Sequence, residues 1–424
     1  MQRTRTFLAL AATASFVFAA CSTGGGASTA PTSAAASSAP SASAASTAPE
    51  STAPESTAPE STAPESTAPE SQAPASTGAE SPAASGAAAD VRLQLQWVPQ
   101  AQFAGYFAAA KQGYYEAEGL NVTIVPGGPD VIPQAAGSAA DGPEFTISWV
   151  PKVLEAREGT PPSDLVDIAQ IFQRSGTLSV SWKDSNITKP ADFKGKKVGA
   201  WGFGNEFEVI AAAKKAGLTE GTDYEKVVQP FDMSLLLQRQ IDVAEAMIYN
   251  EYAQVLETVN PETGALYKPE DLNVINYNDE GTAMLQDAIF ARASWLAEPG
   301  NEDTAVKFLK ASFQGWIYCR DNPADCVQYT IDVGSTLGAG HQAWMMNEIN
   351  PLIWPSPDGI GIMDPALWAQ TVAVSKDAGI IKADPPADAY RTDLAEKALA
   401  ALASADAKGA AFAKGTVEVT AGGN

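Results

Sequence analysis

The chain has 424 residues, 27 basic and 50 acidic side chains and a net charge of −23, which excludes nucleic acid as a partner and argues against a phosphorylated ligand. One histidine and three cysteines offer no paired metal ligands, and no nucleophile elbow, P-loop or Cys–His pair appears. The composition therefore implies neither enzyme nor metal nor cofactor.

Arg3 and Arg5 precede an apolar run from Phe7 to Ala20, too short to span a membrane and read as a signal peptide over 1–20. Phe18-Ala19-Ala20-Cys21 resembles a lipobox, so Cys21 is expected to carry a lipid that holds the exported protein on the outer face of the cell membrane. From Ser22 to Asp90 the chain is Ser, Thr, Ala, Pro, Gly and acid, with STAPE in tandem from Ser46 to Glu70. No large apolar residues there repay the entropy of ordering, so this segment is expected to be a disordered tether reaching about 45 Å.

Residues 91–424 exceed what one hydrophobic core organises, and two lobes are expected. Val91, Leu93, Leu95 and Trp97 alternate with polar residues as in a strand buried on one face, and Pro99 stops it. Phe103, Phe107 and Ala110 follow at helical spacing until Gly113, and Val122–Val125 predicts a second strand entering Pro126-Gly127-Gly128. Ligands of open α/β sheets sit beyond the C-terminal strand ends, which places Trp97, Gln102, Phe103 and Tyr106 at a site.

The run W-x-P followed by A-G, then G-Y-Y-x-x-E-G-L-x-V and P-G-G, resembles the start of the periplasmic binding proteins that serve ABC importers of thiamine-pyrimidine precursors, riboflavin and alkanesulfonates. The similarity covers Val91 to Trp295 and continues more loosely beyond. It implies an α/β, two-lobed periplasmic binding protein of type II, each lobe a doubly wound mixed sheet flanked by helices, joined by two crossover segments. It also implies a monomer that delivers its ligand to a permease with a cytoplasmic ATPase. Lobe 1 is expected at 91–182 and 284–424 and lobe 2 at 183–283, with crossovers near Leu178–Ser185 and Asp279–Asp287.

Further along, Phe145–Val150 predicts a strand that delivers Trp149, and Pro151 opens the helix Lys152–Glu158. Strands are expected at Leu165–Gln170 and Leu178–Trp182, with Arg174 between them as a polar candidate. KGKKVGAWGFG, Lys194 to Gly204, starts a second unit that presents Trp201, Phe203 and Asn205, with a helix from Glu206 to Ala216. Gly202 and Gly204 are not a dinucleotide fingerprint, because Phe207 stands where its third glycine belongs. Val227–Pro230 and Ala244–Tyr249 predict strands, the latter delivering Tyr249, Asn250 and Tyr252, with Asn250 as a helix cap.

Aromatic residues thus gather at several strand ends, as a flat ring ligand requires, while Gln102, Asn205, Asn250, Arg174 and Glu206 are candidates for its polar edge. In the pyrimidine receptors that the chain resembles, a histidine precedes the A-G pair; Phe103 stands there, and GNEFE from Gly204 to Glu208 replaces the cysteine cluster of the related synthase. The resemblance therefore favours riboflavin over a formylated aminopyrimidine. Cys319 and Cys326 flank the helix breaker Pro323 and are expected to form a disulfide in an exported chain, and His341 is expected to be structural.

Overall fold

The computed structural model describes residues 88–424. The expected signal peptide, Cys21 and the STAPE repeats lie outside the described residues. The described strands, in chain order, are β1 (Ala89–Gln94), β2 (Leu120–Val125), β3 (Phe145–Ser148), β4 (Leu165–Gln170), β5 (Thr177–Trp182), β6 (Lys197–Ala200), β7 (Glu225–Val228), β8 (Val243–Met247), β9 (Leu272–Asn276) and β10 (Ala288–Arg292). Two mixed sheets result, β2-β1-β3-β10-β4 and β7-β6-β8-β5-β9, both flanked by helices. In the first, β1 runs parallel to β2 and β3 while β10 is antiparallel to β3 and β4. In the second, β6 is parallel to β7 and β8 while β5 is antiparallel to β8 and β9. Ala89 and Asp90, expected in the tether, belong to β1, where they pair with Leu120 and Asn121.

The first crossover differs from its expected place. β5 lies in the second sheet between β8 and β9, so the chain passes between lobes at 171–176, before Leu178–Ser185. An apolar strand reads alike for either sheet, and only its ladder partners decide which it joins. The return passage, 277–287, begins with the helical turn Tyr277–Glu280 and contains the expected segment.

The two passages are tied together. Gln286 accepts at Oε1 from the Gly176 amide (2.8 Å) and donates from Nε2 to Thr177 Oγ1 (2.6 Å). Glu208, from the helix Phe207–Lys215, accepts from Ser175 Oγ (2.8 Å) and the Met284 amide (2.9 Å). Burial pushes the Glu208 carboxyl up to about 8.

The 21-residue helix Asn301–Asp321 crosses Ala104–Lys111 so closely that a side chain on Gly315 would collide with the Gly105 carbonyl, and one on Gly105 with the Trp316 ring. The glycine of the A-G motif therefore serves helix packing. Cys319, in this helix, is disulfide-bonded to Cys326 in the helix Pro323–Asp332.

Candidate binding cleft

The C-terminal ends of β1, β2 and β3 from one lobe and of β6, β7 and β8 from the other line a cleft of about 640 Å³, part of it open to solvent. β1 ends at Gln94, before Pro99, and Trp97 just beyond it lies half-buried at the cleft wall. Its ring lies 4.4 Å from that of Phe231, carried beyond β7 by the opposite lobe. Phe231 in turn lies 6.0 Å from Trp201, nearly parallel to it at 20°. Trp201 follows β6 and is held by its indole N–H donating to the Pro230 carbonyl (3.1 Å) and its amide donating to Glu245 (2.8 Å). The outcome is a row of ring faces contributed by both lobes.

Beneath them sits a polar floor. Trp149, just past β3, donates from Nε1 to Asp287 Oδ1 at 2.7 Å, and Gln102 Nε2 donates to the other oxygen at 2.8 Å. Burial pushes the Asp287 carboxyl up to about 6, against those two hydrogen bonds and the charge of Lys152. Lys152, in the helix Val150–Arg157, lies 4.3 Å above the Trp149 ring and donates to Asn205 Oδ1 of the other lobe at 2.6 Å. Burial holds this ammonium down at about 8, with Asp287, Glu206 and Glu245 opposing. Gln96, oriented to meet complementary partners, accepts from Trp149 Nε1 (2.8 Å) and Lys152 (3.3 Å).

β8 ends at Met247, so Tyr249 and Asn250 occupy the turn beyond it. Tyr249 lines the cleft, and burial raises its phenol well above the usual range. Asn250 stands at the helix start as expected, yet its side chain caps nothing: Nδ2 donates to Glu251 (3.0 Å) and Oδ1 faces His341 Nε2 at 3.0 Å. The other ring nitrogen of His341 lies 2.9 Å from the Glu257 carboxylate, so this buried histidine joins the helix Ala339–Ile353 to the second lobe.

Among the expected site residues, the cleft brings together Trp97, Gln102, Trp149, Trp201, Phe203, Asn205, Tyr249 and Asn250. It does not bring in Phe103, Tyr106, Arg174, Glu206 or Tyr252. Phe103 and Tyr106 are buried in the first lobe's core, Tyr106 edge-on to Trp316, because the 3₁₀ turn Ala101–Phe103 rotates them behind the cleft wall. Phe103 therefore supplies no ring face in place of the histidine that it replaces. Arg174 donates to the Pro351 and Pro355 carbonyls, Glu206 accepts from the Gly204 amide, and Tyr252 packs on Trp344. Gln96, Gln100, Gln134, Lys152 and Phe231 line the cleft without having been expected. Position offered a signal for Gln96 and Gln100, which flank Trp97 in the chain, and for Lys152, which stands in the first turn after Trp149.

A family model described as NMT1/THI5 like matches residues 100–326. The chain is similar to the riboflavin-binding protein RibY of Chloroflexus aurantiacus, 26% identical over 303 residues, covering 69% of this chain and 82% of that protein. It is also similar to the formylaminopyrimidine-binding protein of Halalkalibacterium halodurans, 24% identical over 245 residues, covering 57% and 69%. In fold it is similar to the ligand-binding component of an ABC-type import system from Staphylococcus aureus, with a TM-score of 0.53, 11% identity and coverage of 73% of this chain and 99% of that one.

Proposed function

Since the chain belongs to the NMT1/THI5-like family, we propose that it is the substrate-binding component of an ABC importer and that its ligand is riboflavin. The observation that carries this reading is the meeting of Trp97 from one lobe with Phe231 and Trp201 from the other. A flat ring system that parts these rings, now in contact, gains apolar burial and stacking from both lobes. Ligand docks on the first lobe at Trp97 and Trp149, and the lobes close about the two crossovers. Closure presents both lobes to a membrane permease coupled to a cytoplasmic ATPase. The relatives named for riboflavin and formylaminopyrimidine are both binding proteins, and binding rather than catalysis is the role carried over. The protein acts as an exported monomer, held at the outer face of the membrane by a lipid on Cys21 and a tether. Among the described residues no helix is long and apolar enough to cross a membrane.

The second reading keeps the role and changes the ligand to a formylated aminopyrimidine, as the second relative's name suggests. Titration of the protein with each compound, followed by flavin and tryptophan fluorescence, separates the two. Saturable quenching by riboflavin alone supports the first, and saturation by the pyrimidine alone replaces it with the second.

A further inference from the structure

Asp287 orients a chain of amides. A carboxylate oxygen only accepts, so the bond from Gln102 Nε2 to Asp287 Oδ2 (2.8 Å) turns Gln102 Oε1 toward Gln100. Gln100 Nε2 donates to that oxygen at 2.7 Å, which leaves Gln100 Oε1 as the free end of the chain. This oxygen is buried, belongs to a side chain lining the cleft and has no partner among the described residues. Gln134, at the start of the helix Pro133–Ser138, also lines the cleft with its Oε1 buried and without a partner among the described residues, but no neighbour fixes which end of its amide faces the ligand. Buried acceptors in folded proteins are mostly paired, and of the buried side-chain atoms without a partner among the described residues these two belong to residues that line the cleft. Several donors lining the cleft from both lobes are, by contrast, engaged inside the protein: Trp149 with Asp287, Trp201 with Pro230, Asn205 with Gly202.

We infer that Gln100 is a specificity-determining acceptor that takes an N–H or O–H of a ring ligand lying against Trp97, with Gln134 making a second polar contact to the same ligand. The inference rests on the reading of this protein as a receptor for a planar heteroaromatic. It selects ligands that carry donors, such as a flavin with its imide N–H and hydroxyl tail or a pyrimidine with its amino group. It disfavours ligands that offer acceptors only, such as an alkanesulfonate.

The test uses the wild-type protein, Gln100→Met and Gln134→Met, with thermal unfolding as the check that each variant folds. The probes are riboflavin, 3-methyllumiflavin, which keeps the flavin ring but has neither N–H nor O–H, and butanesulfonate. Wild type is expected to bind riboflavin roughly tenfold or more tighter than 3-methyllumiflavin, and each variant to lose roughly tenfold for riboflavin alone. Riboflavin affinity unchanged in both folded variants, equal losses for the two flavins, or butanesulfonate binding as tightly as riboflavin overturns the inference. If wild type binds no flavin, the riboflavin reading fails by itself and the variants are read with the formylated aminopyrimidine. There a similar loss supports the acceptor role and unchanged affinity overturns it. A folded wild type that binds neither compound overturns both readings.

Discussion

Asp287→Asn isolates what the buried carboxylate costs and what it holds in place. The group is pushed from 3.8 to about 6, so the folded state holds its proton more tightly than the unfolded chain does. A raised carboxyl contributes stability that is fully present below pH 3.8 and is lost as pH rises through 6. A displacement of about two pH units is worth about 3 kcal/mol in full, of which about 2 kcal/mol falls between pH 4 and pH 8. Asparagine does not titrate, but it offers one accepting oxygen in place of two, so either Gln102 Nε2 or Trp149 Nε1 loses its bond to residue 287 at every pH. The other buried carboxyls, Asp167, Glu208, Glu245 and Glu251, are present in both proteins and largely cancel in the difference. Lys152, deprived of a counter-charge, resists protonation more strongly, which further weakens the variant at low pH. Urea unfolding at pH 4, 6 and 8 should therefore show the variant gaining about 2 kcal/mol or more on wild type from the lowest pH to the highest. Parallel stability profiles would refute the account of Asp287 as a carboxylate buried at a cost beneath the cleft.

Trp97→Ala should weaken riboflavin binding by about 1–3 kcal/mol, the worth of one buried aromatic, with little change in unfolding temperature. An unchanged Kd in a fluorescence titration places that ring outside the site. Glu208→Gln should leave the protein progressively more stable than wild type as pH rises from 5 to 9, since the Glu208 carboxyl gives up its folded-state stability as pH passes through about 8. A difference in chemical denaturation that does not vary with pH contradicts this. Gly315→Ala should cost about 1–3 kcal/mol, read as a lower melting temperature, because its methyl meets the Gly105 carbonyl across two crossed helices.

Local pattern made much of this protein legible. Alternation around Val91–Trp97, helical spacing after Phe103 and the apolar run Phe145–Val150 all mark real elements, and each strand end delivers its aromatic residue to the cleft. Phe103 and Tyr106 were nearest the expected site in sequence yet face the core together, because residues three apart on a helical segment share one face, and that face packs into the first lobe. Phe231 lies in a loop with no periodicity, and Lys152 reads as an ordinary helix-surface lysine until the other lobe covers it with Asn205. Asp287 belongs to a crossover, and its meaning appears only when Gln102 and Trp149, far away in the chain, converge on it. By itself the sequence determined the strands and the aromatic residues that stand near their ends, since these depend on periodicities of two and 3.6 residues that neighbours in the chain express together. The tertiary structure alone decided which sheet β5 joins, which rings meet across the cleft and which amide oxygens remain unpaired there, because those follow from contacts between segments far apart in the chain.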